Sequence, residues 1–415
     1  MREGTDQTPV AGVKNRSPLL CSYAEQYQRS KPFDGLTIGV CAPLTPHTGL
    51  FADVLATGGG EVLVTGEAGS THADVVEWLR ERPGVTPLAA AGMTVDELAD
   101  TRETVLEAEP DLLADDGAFL LSLVHDRFPE IARGVRGACE QTTGGMTRLR
   151  AMDEQDALAF PVYDVNGTPM KQHFDNVHGT AESSLSAITA LTDTMIAGSV
   201  AVVAGYGHCG RGIARKLRAL GARTVVTEVD PRKALEALAD GHDVEPMADA
   251  VADADLVITA TGRYQVLRRE HVDTLADGVV VASIGSAIEI DDSALADEAT
   301  SNTTEKPGVE RYELPDGRRV TLLTEGKVVN LAAPGRSGNP SHVMDTTFAM
   351  MTRGLADLAD SDLPPGLHPV PDHLDREVAH EKLSAMDVDI DQVTAAQRDY
   401  HDRWETHDST KPDEQ

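Results

Sequence analysis

The stretch SVAVVAGYGHCGRGIARKLRALGARTVVTEVDP, Ser199 to Pro231, decides the fold. VAVVA is a continuous apolar run, as in parallel strands buried on both faces. Gly205, Gly207 and Gly210 follow as G-x-G-x-x-G. Glycine there permits a tight turn, close approach of backbone to a pyrophosphate, and close helix packing. GIARKLRALG reads as a helix ending at Gly221, and its N-terminus offers free N–H groups and a positive dipole end to phosphate. RTVVTE is a second strand, closed by Glu228 at 18 residues past Gly210. An acid there binds the adenosine ribose hydroxyls of NAD and disfavours the extra phosphate of NADP. Arg232 and Lys233, just beyond it, soften that choice.

Working outward, DLVITATG and DGVVVASIG are further buried strands of the same domain. Upstream, LTIGVCAP and EVLVTG read as strands and TGLFADVLATGG and THADVVEWLRERPG as helices, so a first alternating α/β unit precedes the nucleotide domain. The expected fold is α/β: a Rossmann-type NAD-binding domain inserted into an α/β substrate domain, with doubly wound parallel sheets and a C-terminal tail. The expected boundaries are a flexible leader over 1–30, a substrate-binding domain over 31–190, and a Rossmann domain over 191–337. A return to the substrate domain follows over 338–385, carrying the helix NPSHVMDTTFAMM, and a tail over 386–415.

Composition limits the partners. The 415 residues carry 36 Lys+Arg against 68 Asp+Glu, a net charge of −32 spread along the chain. That surface repels nucleic acid and anionic membranes. It suits a protein kept soluble at high salt, where self-repulsion is screened, and points to a halophilic source. The four cysteines form no CxxC pair, which argues against a disulfide scaffold or zinc site. No signal segment follows Met1, and the most apolar run is too short to span a bilayer; a cytoplasmic protein is expected.

MKQHFDN, Met170 to Asn176, poses a separate question. On a helix Lys171 and Asp175 share a face as an i, i+4 pair in the weaker order, which alone means only a solvated surface pair. The neighbourhood changes that reading. PVYDVNGTPMKQHFDNVHGTAESS, DTMIAGSVAVVAGYGHCGRG, GVRGACEQTTGG, LLTEGKVVNLA and NPSHVMDTTF together resemble the S-adenosylhomocysteine hydrolase (adenosylhomocysteinase) family, in the same order from about Ser22 to Lys411.

The resemblance implies a chemistry. Bound NAD oxidises a ribose 3′-hydroxyl, the ketone acidifies C4′, homocysteine leaves, water adds, and the ketone is reduced again. It implies that Lys171 and Asp175 contact the ribose hydroxyls, with Lys171 helping to remove the 3′-hydroxyl proton, and that Asn176 and Asp116 are catalytic. It puts Thr45, Gln141 and His47 on the substrate side. Thr142 and Thr143 hold the nicotinamide; Gly205, Gly207, His208, Cys209, Gly210, Arg211 and Gly212 carry the dinucleotide loop. Glu228, Ile284, Gly285 and Asn330 complete the NAD contacts, and Lys411 reaches a neighbouring subunit's NAD. The implied partners are a small nucleoside-type substrate and further copies of the chain, as a homodimer or homotetramer.

The departures from the family pattern cluster. Pro43, Ser286 and Asn339 stand where the family has histidines; Gln141 and His47 stand where it has glutamates, Phe119 where it has an aspartate, and Gly144 where it has a third threonine. His47 and His72 are candidates to compensate, each also readable as a half-exposed surface histidine. The redox residues are kept while the groups around the base and leaving group change. Three other readings follow: the same redox chemistry on another nucleoside or sugar-like substrate, a non-catalytic NAD-binding paralogue, and a 2-hydroxyacid dehydrogenase. The last lacks its late histidine in IGSAIEIDD.

Overall fold

The computed structural model describes residues 8–285 and 288–401. The first sheet contains β1 (Thr37–Cys41), β2 (Glu61–Thr65), β3 (Val85–Pro87), β4 (Leu112–Asp115), β5 (Gly137–Glu140) and β6 (Pro161–Asp164). The second contains β7 (Val200–Ala204), β8 (Arg223–Thr227), β9 (Asp243–Val244), β10 (Leu256–Thr259), β11 (Val279–Ser283), β12 (Ser301–Lys306), β13 (Val309–Glu313) and β14 (Arg319–Leu323). A last strand, β15 (Gly366–Pro369), returns to the first sheet beside β6.

The strand orders are β15-β6-β5-β4-β1-β2-β3 and β12-β13-β14-β11-β10-β7-β8-β9. In each sheet the chain winds outward on one side of its first strand, then crosses to the other. The switch points lie between β1 and β4 and between β7 and β10, and ligands of such sheets bind in the crevice beyond the strand ends there. All pairings are parallel except the β12–β13–β14 meander. Apolar clusters cover both faces of each sheet, so VAVVA and its neighbours read as unbroken apolar runs.

The helix Ser341–Ala359 follows the nucleotide domain and returns across the first sheet, where the Phe348 ring stacks on Phe51 at 4.7 Å. It also corrects the reading of residues 1–30 as a flexible leader. Residues 8–30 are ordered, with helices Ala11–Lys14 and Pro18–Ser30. Leu19, Leu20, Tyr23 and Tyr27 of the second are buried. Asp345 accepts hydrogen bonds from the backbone N–H groups of Leu19 (3.3 Å) and Leu20 (3.0 Å) and pairs with Lys382 at 2.7 Å. A buried carboxylate thus satisfies donors that a helix start leaves open. Beyond Met386 the described chain is exposed, with a short helix Ala395–His401. No helix among the described residues is long and apolar enough to cross a membrane.

Candidate active site

The register between β4 and β5 sets Asp115 opposite Glu140. Asp116 and Gln141, the next residues, therefore leave the sheet side by side, and Gln141 Nε2 donates to Asp116 Oδ2 at 2.8 Å. Asp116 N–H donates to Cys41 O at the end of β1 (2.9 Å), placing the pair at the switch point. Burial pushes the Asp116 carboxyl up to about 6, against the lowering effects of Lys171 and the Gln141 amide. Gln141 is 3% exposed, and its Oε1 has no hydrogen-bond partner. A buried amide oxygen left open is suited to accept from a ligand hydroxyl.

Lys171 and Asp175 are not a surface pair. Lys171–Gly179 forms a π-helix rather than an α-helix, a form concentrated at functional sites. Lys171 Nζ lies 2.7 Å from Asp175 Oδ2, with side chains 9% and 2% exposed. Asp175 Oδ2 also accepts from Thr347 Oγ1 (2.6 Å), and Oδ1 from Asn339 Nδ2 (2.7 Å). Asn339 Oδ1 in turn accepts from Asn330 Nδ2 and Ser183 Oγ, both at 2.9 Å. Asn339 therefore does not leave a hole where the family has histidine: its amide orients the carboxylate. Asn176 Nδ2 donates to Asn166 Oδ1 at 3.0 Å.

At the other end of the crevice, the helix Pro46–Thr57 begins after Thr45, so Pro43 lies outside it and shares no helix face with His47. His47 is 5% exposed, and its Nε2 bonds Ser341 Oγ at 3.0 Å. Burial, with His72 nearby, lowers its pKa to about 4 against the Ser337 carbonyl, so the ring is neutral at pH 7. Its Nδ1 has no partner in bonding geometry. Pro46, His47, Ser337, Asn339, Ser341 and His342 help line a cleft of ≈ 510 Å³. His72 Nε2 bonds Arg336 O at 3.1 Å. Phe119 lies under the Arg102 guanidinium at 4.2 Å and near that of Arg148 at 5.2 Å.

The glycines of the second crevice have distinct tasks. Gly205 is left-handed (φ +95°) and lies where a Cβ would sit 2.9 Å from Ala260 O. A Cβ on Gly210 would sit 1.9 Å from Gly205 O, which sets the helix start tight on the strand. Gly207 faces open space at the N-terminus of the helix His208–Ala219, leaving its N–H groups accessible to phosphate oxygens. Gly212 serves another contact: a Cβ there would lie 1.9 Å from Val177 O, so the π-helix rests directly on the nucleotide helix. Glu228 Oε2 accepts from Tyr206 N–H at 2.7 Å, beneath the loop. Cys209 is close enough to Lys171 and Asp175 for both to act on its thiol, which burial pushes up to about 11. Arg211 is engaged with Glu236 (2.5 Å) and His208 (3.2 Å). Ile284 is buried, and Gly285 leaves room for Glu289, whose carboxylate accepts from Thr261 N–H at 3.0 Å. Asn330 Oδ1 is buried and unpartnered. These features fit a dinucleotide: an open glycine cradle, free helix N–H groups and an acid at the end of β8.

Thr142 caps the helix Thr143–Asp153, accepting from Gly145 N–H at 3.0 Å, and Thr143 is exposed beside it. Lys411 and Ser286 lie outside the described residues. The structure thus gathers Asp116, Gln141, Lys171, Asp175, Asn339 and Cys209, while no direct bond joins Thr45, Thr142 or Ile284 to the Lys171–Asp175 pair. Glu140, Thr347, Ser341 and Glu289 were not singled out from the sequence. The signal for Glu140 was its place beside Gln141; the others are brought in only by tertiary packing.

Two doubly wound sheets, a glycine cradle and a buried lysine–carboxylate pair define an NAD-dependent α/β enzyme. The family model for the NAD binding domain of S-adenosyl-L-homocysteine hydrolase matches residues 176–335. An S-inosyl-L-homocysteine hydrolase of Methanopyrus kandleri is 39% identical over 95% of this chain and 94% of its own. Adenosylhomocysteinases of Haloquadratum walsbyi (42% identity, 93% of this chain and 90% of that one) and Thermotoga maritima (40%, 97% and 100%) are similar along their lengths. The chain belongs to the S-adenosyl-L-homocysteine hydrolase family.

Proposed function

We propose that the protein hydrolyses the thioether of a nucleosyl homocysteine, S-adenosylhomocysteine first, through transient oxidation of the ribose 3′-carbon. The buried Lys171–Asp175 pair carries this reading. Bound NAD supplies the electron sink and returns the electrons at the end. Lys171, held by a carboxylate that Thr347 and Asn339 fix in place, takes the proton from the 3′-hydroxyl and gives it back. Gln141 Oε1 accepts from the neighbouring hydroxyl. Asp116, a carboxyl poised near neutrality, moves protons as the thiolate leaves and water adds. Thr45 and Asn176 border the substrate, Thr142 and Thr143 the nicotinamide. Release of free thiol from S-adenosylhomocysteine, with total NAD unchanged, tests this.

A second base is supported by His47. A neutral imidazole beside a hydroxyl both donates and accepts, so this end of the cleft suits a 6-oxopurine as well as adenine. The Methanopyrus relative is named for an inosyl substrate. Parallel rates with S-adenosyl- and S-inosylhomocysteine decide between them.

The protein is further proposed to work in the cytoplasm as a homodimer or homotetramer. The exposed Met386, Val388, Ile390 and Val393 support association, which light scattering of the full chain would measure. High salt is proposed as its working condition because of the −32 charge. Relatives of similar identity come from Haloquadratum walsbyi and Thermotoga maritima, so likeness alone does not select a habitat.

A further inference from the structure

We propose that Glu140 is a positioning residue for the reaction: its carboxylate ties the loop after β4 to the loop after β5 and so fixes Asp116 against Gln141. The inference rests on the reading of the site given above. Glu140 is fully buried and makes no ion pair among the described residues. Instead it gathers donors from both loops. Oε1 accepts from Gly117 N–H (3.1 Å), Thr142 N–H (2.7 Å) and Thr142 Oγ1 (2.6 Å), and Oε2 accepts from Ala118 N–H at 2.7 Å.

The first loop needs such a clamp. Gly117 (φ +95°) and Ala118 (φ +55°) are both left-handed, a conformation in which the alanine Cβ crowds the following carbonyl oxygen. Their N–H groups turn inward because an acceptor waits between the strands. Asp115 assists, accepting from Asp116 N–H at 3.0 Å and Leu121 N–H at 2.9 Å. Gly145 completes the arrangement: a Cβ there would lie 2.3 Å from Glu140 Cδ. Glutamine has the same shape as glutamate but one acceptor oxygen: in the place of Oε1 it keeps Gly117 and Thr142 but turns an N–H against that of Ala118, and in the place of Oε2 it keeps Ala118 alone. Burial, with Asp115 and Asp116 nearby, pushes the Glu140 carboxyl well above the usual range; the four donors offset part of that cost, and what the group gives here is two loops set by one side chain.

The test uses the full NAD-loaded protein with Glu140→Gln and, independently, Gly145→Ala, which displaces the carboxyl group while keeping both of its oxygens. Thiol-release kinetics, NAD content, melting temperature and hydrogen exchange of residues 115–121 are measured together. The expected result is a kcat lowered on the order of tenfold to a hundredfold in both variants, as for a positioned acid/base group set loose. KM and NAD content should stay within about threefold of the unsubstituted protein, and exchange at Gly117 and Ala118 should be faster. A kcat within threefold, or a loss that only tracks lost NAD or a collapsed fold, would overturn the positioning role. No turnover by the unsubstituted protein with either nucleosyl homocysteine would overturn the reading of the site, and this inference with it.

Discussion

Asn339 Nδ2 donates to Asp175 Oδ1 at 2.7 Å, which ties the segment leaving the nucleotide domain to the lysine–carboxylate pair of the first domain. The oxygen of the same amide, Oδ1, accepts from Asn330 Nδ2. One side chain thus links a proposed NAD contact to the proposed redox pair, at a position where the family has histidine. Asn339→Ala should lower kcat by about tenfold or more, since a positioned acid/base pair then loses its orienting donor. NAD content should stay near normal, as read by nucleotide release on denaturation.

Removing one member of the buried pair should be more severe. Asp175→Asn leaves Lys171 buried without its counter-charge, and such a break costs about 3–5 kcal/mol. Lys171→Met removes the proton carrier but also its charge. Turnover should fall at least about a hundredfold in both. The melting temperature should fall further in Asp175→Asn. Near-normal turnover in Lys171→Met would remove that residue from the mechanism.

The raised Asp116 pKa predicts a pH dependence of stability. The folded carboxyl titrates at about 6, above its value in the unfolded chain, near 3.8. The folded state therefore binds this proton more tightly. Its contribution is fully present below the unfolded pKa and is lost as pH rises through the folded one. Asp116→Asn should gain on the unsubstituted protein between about pH 4 and 6, by at most about 3 kcal/mol. Urea unfolding across that range measures the difference, and a constant gap would show that the carboxyl is not held up.

Gly212 is predicted to matter for a contact as much as for phosphate. An added methyl meets the Val177 carbonyl, so Gly212→Ala must push the π-helix away from the nucleotide helix. Overpacking of that kind costs about 1–3 kcal/mol. Gly207→Ala meets no atom and should leave stability nearly unchanged while weakening NAD binding. Thermal unfolding with and without added NAD separates the two.

Much of the fold was legible because the central strands of the second sheet are short, apolar runs. VAVVA, RTVVTE, LVIT and VVVAS became β7, β8, β10 and β11 for that reason. The leader was misread because Arg, Gln and Glu dilute Leu19, Leu20, Tyr23 and Tyr27, which nonetheless recur at helical spacing. Lys171 and Asp175 were legible as a pair but not as buried: burial comes from Thr347 and Asn339, more than 160 residues away in sequence. The clamp at Glu140 was illegible because it depends on strand register and on two left-handed residues, neither written in local periodicity.

The proposed reaction uses NAD as a recycled electron sink to release homocysteine. It is tested most directly by mixing NAD-loaded protein with S-adenosylhomocysteine and following reduced nicotinamide and free thiol together. The expected result is a small, steady population of reduced cofactor and many thiols released per protein, with total NAD unchanged. Thiol release absent with both S-adenosyl- and S-inosylhomocysteine, or NAD consumed one for one with substrate, would contradict it.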